Sequence, residues 1–189
     1  MTTRTAYLLP GRGDTLDGAV GRIITELGLS VQGRPVTSGF EALSFSEQLA
    51  LVEADLKSLF DSRDAALVGQ SYGGYVLLHA LAALRPFPGR VLLISPVLGP
   101  GVAADGRHGS LPPRAGRLLD LARRGRFPSP RYLEIHTGAQ DRGCDPQLAQ
   151  RFASHLAAAR LHIVPDGGHT LPEAYLRGVL QAFLGDDRQ

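Results

Sequence analysis

The chain has 189 residues, 43% of them hydrophobic and 20% charged, with a formal net charge of +2. That balance suits one soluble globular domain over residues 1–189 with a sizeable core, and argues against a disordered or strongly nucleic-acid-binding chain. There is no apolar run of about 18 residues to cross a membrane, and Cys144 is the lone cysteine, which rules out an internal disulfide.

Met1 to Thr5 leads straight into a strand pattern, without the apolar stretch of a signal peptide, so the expected location is cytoplasmic and no membrane partner is expected. Lys57 is the sole lysine, and the arginines are scattered, with one denser patch from Arg114 to Arg131. That patch carries Phe127 alone as an aromatic and fits no nucleic-acid module, so no nucleic-acid partner is expected.

Thr5 to Leu9 reads as the first strand, ended by Pro10-Gly11. Leu16, Val20, Ile23, Ile24 and Leu27 recur at helical spacing and stop at Gly28, with Asp14 as the expected cap. Ser30 to Thr37 reads as the second strand. Ser44 and Glu47 form a capping box ahead of Leu49, Val52, Leu56 and Leu59, an amphipathic helix. The apolar run Ala65 to Val68 is a third strand, followed by a helix-like run from Tyr75 that ends before Arg85-Pro86.

Arg90 to Ser95 is nearly all apolar, as a buried parallel strand should be, and Tyr132 to Thr137 is another strand. Asp145-Pro146 supplies a cap and a first-turn proline for a helix carrying Leu148, Phe152 and Leu156. Arg160 to Val164 is the last strand, and Pro172 opens the last helix, with Leu176, Val179, Leu180 and Phe183 inward.

Alternating strands and helices predict an α/β fold: three layers, α/β/α, around a six-stranded, mostly parallel sheet. One segment breaks the rhythm. Residues 97–130 hold five prolines and a short basic helix near Leu118 to Arg124, and read as a lid-like excursion over the sheet.

The stretch Gly69-Gln70-Ser71-Tyr72-Gly73-Gly74 joins the third strand to its helix. A serine between glycines at such a turn is a nucleophile elbow, because a side chain at either flank would collide with the neighbouring elements. Read alone, Ser71 fits a helix cap equally well. Ligands in parallel α/β sheets bind at the carboxyl ends of the strands. Those ends read Pro10-Gly11-Arg12-Gly13-Asp14 after the first strand and Ser71 after the third. They read Gly138-Ala139-Gln140-Asp141 after the fifth and Asp166-Gly167-Gly168-His169 after the sixth.

With Gly69-x-Ser71-x-Gly73-Gly74, Gly138-x-x-Asp141 and Gly168-His169 in that order, the chain resembles an α/β-hydrolase over nearly its whole length. It resembles a small, minimal member, starting at the family's central strands and lacking the usual first hairpin. The resemblance implies Ser71 as nucleophile, His169 as general base, and Asp141 as the group that orients and charges the imidazole. It implies Tyr72 N–H as one oxyanion donor and, from the loop after the first strand, Arg12 N–H as the other, with Gly11 its rival. Many members carry His-Gly in that loop, whereas this chain has Pro10-Gly11, and a proline has no N–H to donate.

The remaining candidates read as structural. His79 falls inside a helix, His155 and His162 fit a helix and a strand, and His108 lies in the excursion. His136, at the end of the fifth strand, is close enough to the expected pocket to touch substrate. Asp145 fits a cap better than a triad acid, and the site after the fourth strand, Ser95-Pro96-Val97, offers no carboxylate. Cys144 lacks an activating neighbour.

A serine at the elbow, in place of the aspartate of related dehalogenases and epoxide hydrolases, implies acyl transfer. The expected substrate is a small-molecule carboxylic ester or thioester, with no metal and no organic cofactor. Two alternatives keep the same residues: acyl transfer to an alcohol or amine, and a hydrolase-like protein that binds a ligand without turnover. Arg114, Arg117, Arg123 and Arg124 read as solvated surface cations, with an acidic substrate as the sharper alternative.

Overall fold

A computed structural model describes residues 4–59, 61–101 and 111–185. Six strands form one sheet in the order β2-β1-β3-β4-β5-β6, and every pairing is parallel. The strands are β1 (Thr5–Leu9), β2 (Ser30–Gly33), β3 (Ala66–Gln70), β4 (Arg90–Ile94), β5 (Tyr132–Gly138) and β6 (Ala159–Val164). The helices are α1 (Ala19–Glu26), α2 (Ser38–Glu41), α3 (Phe45–Lys57), α4 (Ser71–Leu81), α5 (Arg117–Arg123), α6 (Pro146–Ser154) and α7 (Glu173–Leu184).

The strand period of two sorts the core into two halves. Tyr7, Leu9, Leu67, Val91, Leu93, Leu133 and Ile135 point to one face and meet α3, α4, α5 and α6. Ala6, Leu8, Ala66, Val68, Leu92 and Ile94 point to the other and meet Val20, Ile23 and Ile24 of α1 and Leu176, Leu180 and Phe183 of α7. The architecture is therefore the three-layer α/β/α arrangement. β1 runs on to β2 on one side of itself while β3 pairs on its other side, so the sheet's switch point lies between β1 and β3, where a crevice opens at the strand ends.

Several boundaries differ from the sequence-based expectation. β2 stops at Gly33 instead of Thr37. Gly33 has φ +137°, where a Cβ would run into the Leu8 carbonyl, and Val36 turns to exchange hydrogen bonds with Gly13 and Asp14. β3 runs on to Gln70, because Gly69 pairs with both Leu9 and Leu93. Asp14 is not the cap of α1. The helix starts five residues later at Ala19, and Asp14 Oδ1 instead accepts from Thr15 N–H at 2.8 Å. The short α2 was not legible in the sequence; it puts Phe40 into the core and Glu41 beside Arg12.

The capping box is formed as read: Ser44 Oγ accepts from Glu47 N–H, and Glu47 accepts from Ser44 N–H. Of the 97–130 excursion, residues 102–110, including His108, lie outside the described residues. Its second half is anchored. Leu118, Ala122 and Phe127 are buried, Phe127 meets Phe152 edge-on at 5.4 Å, and Tyr75 Oη–H donates to Pro113 O at 2.6 Å. Among the described residues, no helix is long and apolar enough to cross a membrane.

Candidate functional site

Ser71 is the first residue of α4 and follows β3 with no intervening loop. Its φ is +50°, a left-handed conformation that a residue with a Cβ adopts only when the surroundings over-determine it. The surroundings are the glycines. A Cβ on Gly69 would stand 2.8 Å from Gly74 Cα, and one on Gly73 would run into the carbonyl oxygens of Leu9 and Pro10. The turn is thus closed on both sides by backbone, and the Ser71 side chain is left facing the crevice.

His169 comes from the turn after β6, and Asp141 from the turn after β5. The two turns touch: Gln140 N–H donates to Gly167 O at 2.9 Å, and a Cβ on Gly138 would strike the carbonyls of Gly167 and Gly168. The glycines in Gly138-x-x-Asp141 and Gly167-Gly168-His169 permit this contact. Across it, His169 Nδ1–H donates to Asp141 Oδ1 at 2.8 Å. On the other side of the ring, Ser71 Oγ–H donates to His169 Nε2 at 2.8 Å. The structure thus brings Ser71, His169 and Asp141, far apart in sequence, into one hydrogen-bonded line.

Asp141 is buried, and its side chain is fully enclosed. Oδ1 also accepts from Gly143 N–H at 2.8 Å and Cys144 N–H at 2.7 Å, and Oδ2 from Thr137 Oγ1–H at 3.2 Å. The buried carboxylate is thus given its hydrogen-bond donors by the protein itself. His169 is held above the ordinary imidazole value, first by its hydrogen bond to Asp141 and then by that group's charge, while burial works against the shift.

Arg12 and Tyr72 adjoin the serine. Tyr72 is in the first turn of α4, where backbone N–H groups have no intrahelical acceptor. In the loop after β1, Gly13 N–H is taken by Val36 O at 2.7 Å and Asp14 N–H by Gly11 O at 3.1 Å, which leaves the amides of Gly11 and Arg12 without a backbone acceptor among the described residues. That loop lies against the serine: a Cβ on Gly11 would stand 3.4 Å from Ser71 Cβ. The Arg12 guanidinium stacks 4.1 Å over the Tyr72 ring.

The cleft over Ser71 has a volume of about 460 Å³. Besides Ser71, Tyr72 and His169 it is lined by Arg12, Val97, Gly99, Gly101, Pro112, Arg142 and Gly143. The excursion contributes Val97, Gly99, Gly101 and Pro112; Arg114, Arg117, Arg123 and Arg124 do not line the cleft. Among the described residues its cationic side chains are Arg12 and Arg142, and Arg142 carried no signal in the sequence.

The competing residues go elsewhere. His136 does not reach the cleft, contrary to the expectation that it could touch substrate. It points to the α7 side of the sheet, where it meets Tyr175 and Glu134. His79 is packed between Phe45 and Tyr75, and burial pushes it down to about 4. Asp145 accepts from Gln147 N–H as the cap of α6. Burial pushes the Cys144 thiol up, away from reactivity; its contribution here is its backbone N–H.

Gly143 was missed by sequence reasoning. A Cβ there would stand 2.8 Å from His169 Nδ1, so a side chain would displace the imidazole. Gly143→Ala is expected to reduce kcat by on the order of 10²-fold, the cost of misplacing a reacting group by about 1 Å, with the melting temperature nearly unchanged. Steady-state kinetics beside thermal denaturation checks this; unchanged kcat would show that the ring accommodates the methyl group.

Solved structures similar to this one cover almost the whole chain. Est1E from Butyrivibrio proteoclasticus has a TM-score of 0.68 at 15% identity, covering 97% of this chain and 87% of that one. An esterase from Exiguobacterium antarcticum has 0.68 at 12% identity, covering 98% and 93%. A monoacylglycerol lipase from Paleococcus ferrophilus has 0.66 at 16% identity, covering 97% and 96%. No protein-family model and no curated protein matches the sequence. The chain has the α/β-hydrolase fold.

Proposed function

We propose that the protein is a serine hydrolase that cleaves a small or medium carboxylic ester or thioester through an acyl-enzyme on Ser71. The observation that carries this reading is the line Ser71 Oγ, His169 Nε2, His169 Nδ1, Asp141 Oδ1, with 2.8 Å at each hydrogen bond. A serine hydroxyl is a poor nucleophile unless a base takes its proton as it attacks, and His169 is placed to do so.

In this mechanism Ser71 Oγ adds to the acyl carbon while His169 Nε2 accepts the proton. The negative oxygen that develops is met by Tyr72 N–H and by Arg12 N–H, fixed dipoles that need no reorganisation. Asp141 stabilises the imidazolium. Collapse expels the alcohol or thiol, which takes the proton from Nε2. Water, deprotonated by the same nitrogen, then releases the acid and restores Ser71. That two fold neighbours are named as esterases and another as a monoacylglycerol lipase supports an ester as substrate.

The test is active-site labelling with a fluorophosphonate alongside hydrolysis of short p-nitrophenyl esters and acyl thioesters. The wild-type protein should label at one site and Ser71→Ala should not, with hydrolysis falling roughly 10⁴-fold or more. Equal labelling of the two proteins would overturn the assignment of Ser71. Labelling without turnover of any ester or thioester would move the reading to a ligand-binding protein.

A further inference from the structure

On the face of the sheet covered by α7, away from the cleft, two histidines and a glutamate converge. Glu134 and His136 are two apart on β5, so they share a face, and His162 on β6 is the cross-strand partner of His136. The imidazoles of His136 and His162 stack 4.5 Å apart and nearly parallel, at 8°. Both reach the same oxygen: Glu134 Oε1 lies 2.8 Å from His136 Nε2 and 3.5 Å from His162 Nε2. One ligand atom from each of the three residues lies within 4.8 Å of the other two.

Glu134 and His136 each have a further partner. Tyr132 Oη–H donates to Glu134 Oε2 at 2.7 Å, leaving Oε1 for another partner. Tyr175 Oη lies 2.7 Å from His136 Nδ1 and so fixes which ring nitrogen faces the glutamate. The Glu134 carboxyl is held below the usual carboxylate range, chiefly by its hydrogen bond to His136. Arg160, the cross-strand partner of Glu134, sits over the Tyr132 ring at 5.3 Å.

We propose that Glu134, His136 and His162 form a binding site for a divalent transition cation of the zinc class, with water completing the coordination. Two imidazole nitrogens and one carboxylate oxygen are a donor set suited to such an ion, and the outer partners on Glu134 and His136 are of the kind that orients ligands for it. In the bound state Nε2 of His136 turns its lone pair on the ion, and Nδ1–H donates to Tyr175 Oη. His162 makes the adjustment that closes the set, since its side chain is 48% exposed on the edge strand. The site joins β5 and β6, and through Tyr175 it reaches α7. β6 and α7 bracket the turn that carries His169, so a bound ion braces the support of that turn.

The experiment is titration of the tag-free full-length chain with Zn²⁺ by calorimetry, and with Co²⁺ by visible absorption. One equivalent should bind, Co²⁺ should develop ligand-field bands, and Zn²⁺ should raise the melting temperature. His162→Ala and Glu134→Gln should each weaken binding by at least about 10-fold, the lower range for losing a ligand or its partner. His155→Ala, an exposed histidine elsewhere on the surface, should bind as the wild type does. The absence of stoichiometric binding by the wild-type chain, or binding that survives both His162→Ala and Glu134→Gln, would overturn the proposal. None of these readouts depends on catalysis by Ser71.

Discussion

Asp141→Asn is expected to lower kcat by on the order of 10³-fold, within the range that a lost acid–base partner supplies, while the fold survives. The hydrogen bonds explain the second half. Oδ1 accepts from His169, Gly143 and Cys144, and an amide oxygen in its place accepts all three. The amide nitrogen then occupies the Oδ2 position facing Thr137 Oγ1, whose hydroxyl can turn to Cys144 O, 3.4 Å away. The tautomer of His169 is kept and the negative charge alone is lost. Asp141→Ala leaves those buried donors without an acceptor and should destabilise the fold by about 3 kcal/mol or more, at roughly 1–3 kcal/mol per unsatisfied group. Urea denaturation of the two variants separates the cases; equal stability would refute this account of the carboxylate.

The same substitution has a pH signature. Asp141 raises His169 above its ordinary value of 6.5, and a base must be neutral to act, so the acid limb of kcat/KM in the wild type should have its midpoint above 6.5. In Asp141→Asn the charge is gone and the hydrogen bond to the ring is weakened to one with a neutral acceptor, while the opposing desolvation remains, so the limb should move to lower pH. The stability effect has a definite sign. A folded-state value above the unfolded one stabilises the protein below the unfolded value, and that contribution is lost as pH rises through the folded one. The His169 contribution is therefore present in mildly acidic solution and fades above the folded value. A limb that stays in place in the Asn variant would show that Asp141 does not set the basicity of His169.

Gly73→Ala is expected to destabilise the protein by about 3 kcal/mol, at the upper end of overpacking costs. The added methyl would run into the carbonyl oxygens of Leu9 and Pro10, which are backbone atoms at the end of β1. β1 is held on both sides by β2 and β3, so it has nowhere to move. Strain relieved by shifting Pro10 would carry the Arg12 amide with it, and kcat should fall as well. Gly168→Ala is the control. Gly168 stands beside His169 in another of the glycine motifs, yet a Cβ there meets nothing within 4 Å, and its stability should stay within about 0.5 kcal/mol of wild type. Chemical denaturation compares the two; similar small losses would mean that the elbow tolerates a side chain.

Much of the architecture was legible because it rests on local chemistry. The alternation of apolar runs and amphipathic stretches marks the six strands and the longer helices. Capping residues such as Ser44, Glu47 and Asp145 mark helix starts, since their bonds are made within three residues. Where a boundary was misread, a contact distant in sequence set it: Gly33 against Leu8, Val36 against Asp14, Gly69 between Leu9 and Leu93.

The candidate site divides in the same way. By itself the sequence determined which residues stand at the strand ends: Ser71 within its glycines, Asp141 after Gly138, His169 after Gly168. These follow from the turn each segment must make, which is a property of the segment. Only the tertiary structure decided what those residues meet. The Asp141 carboxylate is surrounded by amides of its own turn and by an imidazole from another, and Gly143 must lack a side chain because that imidazole lies over it. Arg142 reaches the cleft while His136 turns away to Glu134 and Tyr175. Neither fate is written in the residue's own neighbourhood. Each depends on sheet order and register, which bring side chains from β5, β6 and α7 within hydrogen-bonding distance although the chain separates them by dozens of residues.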